Sequence, residues 1–500
     1  MTEETVLYRG LDQTGDYVEY VYVPGKAEES EKEEEDQGPT LRRTVLPVPQ
    51  ESHTSSSLSR TIDFLQGRRV LVINSVTSGL NQSASVYERV VRPLLTGLGV
   101  SHEYVPTRNA STISDTAAAL AAGQEDEDYL VIIFGGDTSL SEFVNALPSG
   151  SGGDSSSGSG RVRRGRIDLV LVPTGTGNAI SASSIGGGKN AIAKTLAALF
   201  HSSASEDVTA AAATAAAAPT TGTFVPLPNF RVEFPPGSYV ASAAAPGADA
   251  SADTPPRRLE FHAVAVVSWA LHAALVADSD LPEYRPLGVA RFRKAAELNL
   301  ARDQRYSGEI TLLPSSSSAS SATSDQSNSS SSIKLTGDAS THSYVLFTLV
   351  SQVEPGYLIS PSTHYGGAAA DNGSNSARPS LYFVRIPFTL PNNANNAELA
   401  RLVTLPYQAG AHVTEPNVDY FAVNPSGSDG TGDNGDASHD KDDSYSEGVA
   451  GIITATPGES PQRWCVDGQI VVVPDAAGPV VVHGARYGIA TVDWDLYILV

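Results

Sequence analysis

Short apolar runs that stop at glycines set the pattern of this chain. Tyr129 to Phe134 is followed at once by Gly135-Gly136-Asp137, and Asp168 to Pro173 leads into Gly175-Thr176-Gly177-Asn178. A run of β-branched and aromatic residues ending at a glycine reads as a buried strand stopping at a bend, where bare backbone N–H groups can approach an anion. Arg69 to Ile73 is a further apolar strand. Ser83 to Leu98 follows it with Tyr87, Val90, Val91, Leu94, Leu95 and Leu98 on one helical stripe, which Pro93 is expected to kink or split. Thr112 to Ala122 and Lys189 to Phe200 read as helices, and Ser141 to Leu147 as the start of one. Strands alternating with helices over 67–205 imply an α/β domain, a doubly wound parallel sheet in three layers, with ligands at the carboxyl ends of its strands.

Beyond residue 257 the pattern changes. Leu259 to Val267, Gly308 to Leu313, Tyr344 to Val350, Leu381 to Phe388, Val418 to Val423, Trp464 to Val473, Val480 to His483 and Trp494 to Val500 are short β-type runs with few helices between them. That spacing predicts a β-rich, antiparallel, sandwich-like domain over 257–500. Residues 1–66 read as a variable, acidic, largely disordered tail, and 206–256 as a low-complexity insertion or linker. Stretches rich in Ser, Gly, Ala, Asp and Pro interrupt the pattern at Lys26 to Gly38, Ser149 to Gly160, Ala210 to Thr223, Ala241 to Pro256, Ser315 to Ser332, Gly366 to Pro379 and Ser426 to Glu447. They read as long surface loops, which weaken folding little.

Composition narrows the function classes. The 500 residues carry a net charge of -23, from 33 Lys+Arg against 56 Asp+Glu, which argues against a nucleic-acid partner. One cysteine, Cys465, leaves no internal disulfide, fits a reducing compartment and reads as a small buried apolar group. Met1 to Arg9 has no apolar core and carries Glu3 and Glu4, so no secretory leader is expected. Ala263 to Ala277, the most apolar stretch, is too short to span a membrane and reads as core strand and helix. The ten histidines show no metal-ligand spacing, and Asp168 reads as structural.

Three stretches in order, Asn74-Ser75-Val76-Thr77-Ser78-Gly79, then Gly135-Gly136-Asp137-Thr138-Ser139-Leu140-Ser141-Glu142-Phe143-Val144-Asn145, then Pro173-Thr174-Gly175-Thr176-Gly177-Asn178, resemble the nucleotide motifs of the diacylglycerol kinase and sphingosine kinase superfamily. Ala277-Asp278-Ser279-Asp280, with Tyr284-Arg285-Pro286-Leu287-Gly288-Val289-Ala290-Arg291-Phe292, resembles the lipid-side segment of the sphingosine and ceramide kinase branch. Val466-Asp467-Gly468-Gln469 resembles that family's late Asp-Gly-Glu motif. Insertions aside, the resemblance runs from about Arg68 to Val473.

The resemblance implies an ATP-dependent lipid kinase of two domains that phosphorylates a hydroxyl of a sphingoid long-chain base, or of ceramide or diacylglycerol. By it, Asn74, Ser78 and Gly79 would line the nucleotide, and Gly135, Gly136, Gly175, Thr176, Gly177 and Asn178 would wrap its phosphates, with Thr138 and Gly468 nearby. Asp137 would take the proton of the acceptor hydroxyl, with Arg285 and Arg291 as cations for the phosphates. Asp278 or Asp280 would meet the polar end of the lipid, the preceding apolar stretch would line a tail pocket, and Glu142 and Asp467 would help place Mg2+. A cytoplasmic protein touching membranes transiently follows from such a substrate. Four positions depart from the family pattern: Ser75 for proline, Thr138 for a third glycine, Ala146 for glycine and Gln469 for glutamate. A β-branched residue at position 138 would strain a turn needing φ > 0 and crowd the phosphates. Thr138 and Gln469 therefore point to the alternative, a catalytically impaired pseudokinase that binds lipid or nucleotide.

Overall fold

The computed structural model describes residues 4–25, 38–47, 63–79, 81–122, 127–147, 165–188, 190–201, 222–241, 258–288, 290–313, 332–365, 379–388, 393–423, 448–457, 462–489 and 494–500. The expected low-complexity loops, apart from their edge residues, lie outside these ranges, as does 48–62 of the expected tail.

The N-terminal segment is a correction. β1 (Thr5–Leu11), β2 (Tyr17–Val23) and β3 (Thr40–Val45) form a three-stranded antiparallel sheet. The cause is alternation: Val18, Tyr20 and Tyr22 of β2 are buried with Leu7 and Tyr8 of β1, so the segment has a core face. The acidic run Glu31 to Asp36, which suggested a tail, lies between β2 and β3 in the sequence.

β4 (Arg69–Asn74), β5 (His102–Pro106), β6 (Tyr129–Gly135) and β7 (Gly165–Pro173) lie parallel in the order β5-β4-β6-β7. Helix α1 runs as Ser83–Val86, a wider π turn over Tyr87–Val91, and Arg92–Gly97. The widened turn ends just before Pro93, whose ring and missing N–H disfavour a regular turn there, so the expected kink takes this form. α2 (Thr112–Ala122), α3 (Asp137–Ala146), α4 (Ala179–Ser181), which continues as a π turn over Ala182–Gly186, and α5 (Ala191–Phe200) complete the layers. Alternate residues of β6 enter two separate cores: Val131 and Ile133 with α2 and α3, Leu130, Ile132 and Phe134 with α1 and α5. Both faces of the sheet are thus covered, which is why β6 reads as an unbroken apolar run.

The second half begins earlier than expected, because 206–256 contributes strands: β8 (Phe224–Pro226), β9 (Pro228–Phe234) and β10 (Tyr239–Val240). β11 (Leu259–Ala263), β12 (Val266–Ala270), α6 (Leu271–Ser279), α7 (Ala290–Leu300), β13 (Tyr306–Leu312), β14 (Ile333–Leu335), β15 (Thr341–Thr348), β16 (Gln352–Glu354) and β17 (Tyr357–Leu358) follow. Then come β18 (Tyr382–Pro387), α8 (Asn393–Leu402), β19 (Asp419–Ala422), β20 (Val449–Ala455), β21 (Gln462–Val466), β22 (Gln469–Val473), β23 (Val480–Tyr487) and β24 (Trp494–Leu499). Most of these strands join one antiparallel sheet in the order β10-β22-β21-β12-β15-β13-β20-β23-β9-β11. β13 passes from β15 to β20, so the two arms of the sheet face each other, and Phe234 of β9 meets Trp464 of β21 edge-on with ring centroids 5.9 Å apart.

β24 departs from the expected boundary. It pairs parallel with β7 and antiparallel with β8, so the parallel sheet reads β5-β4-β6-β7-β24-β8 and the end of the chain returns to the first domain. Asp168 on β7 is structural, as read: fully buried, it pairs with Arg68 and Arg166, each at 2.7 Å. Among the described residues no helix is long and apolar enough to cross a membrane.

Candidate active site

Three glycine-bearing turns meet at the carboxyl ends of β4, β6 and β7. The Gly135 carbonyl accepts from the N–H groups of Thr174 (3.0 Å) and Gly175 (2.9 Å), Asp137 N–H donates to the Gly177 carbonyl (3.2 Å), and Ser75 N–H to the Phe134 carbonyl (2.9 Å). Side chains would not fit here. A Cβ on Gly136 would collide with the Gly177 carbonyl, one on Gly175 would come within 2.7 Å of the Gly136 backbone, and Gly79, at φ +58, abuts the Thr174 carbonyl. Ser78 closes the first turn by its N–H to the Ser75 carbonyl, 3.1 Å. Gly177, by contrast, faces open space. Asn178 binds the Gly175 carbonyl through Nδ2 at 2.6 Å. The buried oxygens Asn74 Oδ1, Thr174 Oγ1 and Asn178 Oδ1 have no hydrogen-bond partner among the described residues. Gly136→Ala is expected to push the turns apart, lowering stability in chemical denaturation by about 1–3 kcal/mol.

Asp137 opens α3 with its carboxylate buried. Oδ2 accepts the Ala179 N–H at 2.6 Å and Oδ1 the Ile180 N–H at 3.1 Å, the first N–H groups of α4. Each oxygen keeps a lone pair. Burial pushes its pKa up to about 7, opposed by those two N–H bonds and assisted by the charge of Asp467. Asp467 and Gly468 form the two-residue loop between β21 and β22, both at positive φ, +48 and +90, as tight hairpin loops require. The Asp467 carboxylate receives the N–H groups of Val264, Ala265 and Val266, each at 2.9 Å. Burial still holds its pKa up, at about 6.

Thr138 corrects an expectation. It lies inside α3 and not in a left-handed turn, because the bend is completed by Gly136 (φ -122, ψ -170), so the predicted strain does not arise. Its hydroxyl donates to the Asp467 carbonyl at 2.8 Å. The two carboxylates expected to place Mg2+ differ in their surroundings. Glu142 sits half-buried on α3, its pKa pushed up to about 7 by burial, but it does not line the cavity described below, and the Asp467 oxygens are engaged by backbone. Among the described residues no group of three or more His, Cys, Asp and Glu could hold a metal ion.

A cavity of about 660 Å³ opens from Asp137, Thr138, Gly177 and Asp467. Its walls are mainly apolar, with Leu275 from α6, Phe292 and Ala296 from α7, and Tyr357 from β17. His272 on this wall is 2.7 Å from Ser268 Oγ through Nδ1, and burial lowers its pKa to about 4, so it is neutral. Cys465 also faces the cavity, its thiol pushed up to about 12 by burial. Glu354 and Tyr407, hydrogen-bonded to each other, line it too. Neither these two nor Tyr357 carries a sequence signal that separates it from an ordinary surface or core residue.

The carboxylates expected at the lipid's polar end stand elsewhere. Asp278 pairs with Arg463 (2.6 Å) and Arg302 (3.4 Å) and accepts from Asn299 Nδ2 (3.0 Å), fastening α6 to α7 and β21. Asp280 pairs with Arg285 (2.9 Å) and Arg291 (3.3 Å). Neither aspartate lines the cavity, since each is drawn to nearby guanidinium groups. Arg285 is exposed on the surface, whereas Arg291 reaches Thr176 Oγ1 of the glycine turn at 3.2 Å, and its buried Nε has no partner among the described residues.

Residues 69–211 match the family described as the diacylglycerol kinase catalytic domain. Among solved structures, the chain is similar to a diacylglycerol kinase from Bacillus anthracis str. Sterne, at 10% identity over 86% of this chain and 96% of that one, TM-score 0.41. A putative diacylglycerol kinase from Bacillus anthracis str. Sterne is similar at 12% identity over 85% of this chain and 97% of that one, TM-score 0.44. No curated protein matches.

Proposed function

We propose that this protein is an ATP-dependent lipid kinase that phosphorylates the hydroxyl of a single-chain lipid, with a sphingoid base as the preferred acceptor. One observation carries this reading: a largely apolar cavity ends at a buried carboxylate that adjoins a cluster of glycine turns. A methylene takes up about the volume of a water molecule, ~30 Å³. A cavity of about 660 Å³ thus has room for one long chain and its head.

The glycine turns fit a nucleotide. Gly177 leaves room where a Cβ would stand, and the unpartnered oxygens of Asn74, Thr174 and Asn178 suit a ligand that brings hydrogen-bond donors, as ribose and adenine do. Arg291, beside Thr176, supplies positive charge at the phosphate end. Mg2+ would come with the triphosphate, where it neutralises charge on the phosphate oxygens.

In the reaction the acceptor oxygen bonds to the γ-phosphorus, the bond from that phosphorus to its bridging oxygen breaks, and ADP leaves. The hydroxyl proton goes to Asp137. A base with a pKa near 7 suits this step, since it is substantially ionised at neutral pH and still basic enough to accept the proton. Asp137 works only when ionised, so kcat is expected to rise with pH through about 7 and level off above it. A flat profile from pH 6 to 8 in a multi-buffer assay would remove Asp137 as the base. Thr138, which had favoured a pseudokinase, sits in a regular helix, so the backbone strain expected there is absent.

The direct test is transfer of labelled phosphate from ATP, with Mg2+, to sphingosine, phytosphingosine, ceramide and diacylglycerol in micelles. Product on the sphingoid bases is expected. Product on diacylglycerol alone would overturn the single-chain reading, and no product on any lipid would overturn the kinase reading.

A further inference from the structure

We infer that Thr138 is a positioning residue, whose hydroxyl ties the β-rich half of the molecule to the helix that carries Asp137. Thr138, Ser141 and Asn145 fall on one stripe of α3, at spacings of three and four residues. Each reaches the second half. Thr138 Oγ1 donates to the Asp467 carbonyl at 2.8 Å. The Ser141 hydroxyl binds the Asp467 carboxylate. Asn145 donates from Nδ2 to the His262 carbonyl at 3.0 Å and accepts the His262 N–H through Oδ1 at 2.7 Å.

The Asp467-Gly468 loop is a stiff target for such a tie. Its backbone is left-handed at both residues, its carboxylate gathers three consecutive N–H groups, and the Asp467 N–H donates to the Val266 carbonyl at 3.0 Å. Holding its carbonyl therefore holds the whole loop. Thr138 and Gly468 are also matched in shape, because a Cβ on Gly468 would collide with the Thr138 hydroxyl. The threonine fills space that the glycine leaves free. A glycine at position 138, as in the family this chain resembles, would leave the Asp467 carbonyl without this donor. The consequence lies next door: Asp137, Thr138, Asp467 and Gly468 together form the polar end of the cavity. With the tie made, the loop from the second half keeps a fixed place opposite Asp137, where the acceptor hydroxyl must sit.

The activity arm of the test rests on the lipid-kinase reading; the exchange arm does not. Thr138→Val removes the hydroxyl and keeps the shape. It is expected to speed amide exchange at Val264, Ala265, Val266 and Asp467 about fivefold, and to lower kcat with sphingosine by a similar factor while KM for ATP stays unchanged. Thr138→Ser, which restores the donor, should return both. A role in fold stability alone would lower the melting temperature without this split between kcat and KM. Wild-type exchange and kcat in Thr138→Val would overturn the proposal. Should that variant fail to fold, a double-mutant cycle decides: Gly468→Ala should be less damaging in a Thr138→Ala background than alone, and strict additivity would overturn the tie. If the wild-type chain transfers phosphate to no lipid, the functional reading fails, and exchange with the cycle still decides the role of Thr138.

Discussion

Asp137→Asn is expected to lower kcat for lipid phosphorylation by a factor of about 10²–10⁴, the usual worth of a positioned general base. The substitution acts twice. It removes the group that takes the acceptor proton, and it replaces an acceptor-only carboxylate by an amide whose Nδ2 cannot receive the N–H of Ala179 or Ile180. One buried donor at the head of α4 is then left unpaired, at a cost of about 1–3 kcal/mol. The pH dependence of stability separates this from a simple loss of fold. The folded chain keeps the Asp137 proton up to about pH 7, whereas an unfolded aspartate releases it near 3.8. Its stabilising contribution is therefore complete below about 3.8 and is lost as pH rises through 7. Asp467, with its pKa held up at about 6, loses its own contribution across a similar window. In Asp137→Asn the decline in melting temperature between pH 5 and 8 should be shallower than in the wild type. Full turnover in the variant, measured with saturating ATP and sphingosine, would show that the proton goes elsewhere.

The inner strands β4, β6 and β7 were legible because they are buried, whereas the edge strand β5, half-buried and carrying His102 and Glu103, gave no such run. Val131, Ile132 and Ile133 leave no polar position to confuse the reading, and their run stops at Gly135-Gly136. The convergence of the turns was legible for the same reason, since strands that lie parallel bring their carboxyl ends together. The fate of β24 was not. Its buried and half-buried residues alternate, as they would in either sheet, and nothing local says that Tyr497 will lie beside Asp168 rather than within the second half. The N-terminal sheet was hidden by composition, although the alternation in Tyr17 to Val23 was there to be read. Within the site, positions dictated by backbone were readable and positions dictated by ion pairing were not. Gly136 has to be glycine because another backbone lies against it. Asp278 carries the same charge whether it faces a lipid amine or Arg463, and the sequence does not place Arg463 beside it. Thr138 shows a related limit: its departure from the family pattern could be seen, but its partner is 329 residues away along the chain.

Ala296→Trp is expected to lower kcat/KM for long-chain acceptors by a factor of about a hundred while leaving ATP-induced thermal stabilisation unchanged. Ala296 lies on α7 within the cavity wall and is distinct from the glycine turns, so an indole there takes up space that a lipid chain would use. Each methylene kept out of the cavity forfeits about 0.8 kcal/mol. About four displaced methylenes amount to roughly 3 kcal/mol, which is the hundredfold change. The effect should depend on chain length. A short-chain sphingoid base, which does not reach the indole, should be phosphorylated at near the wild-type rate, and the gap between variant and wild type should widen as the chain grows. Loss of activity on short and long acceptors alike would mean that the indole has disturbed α7 and not the tail. Equal activity on long chains would mean that the tail lies outside the cavity.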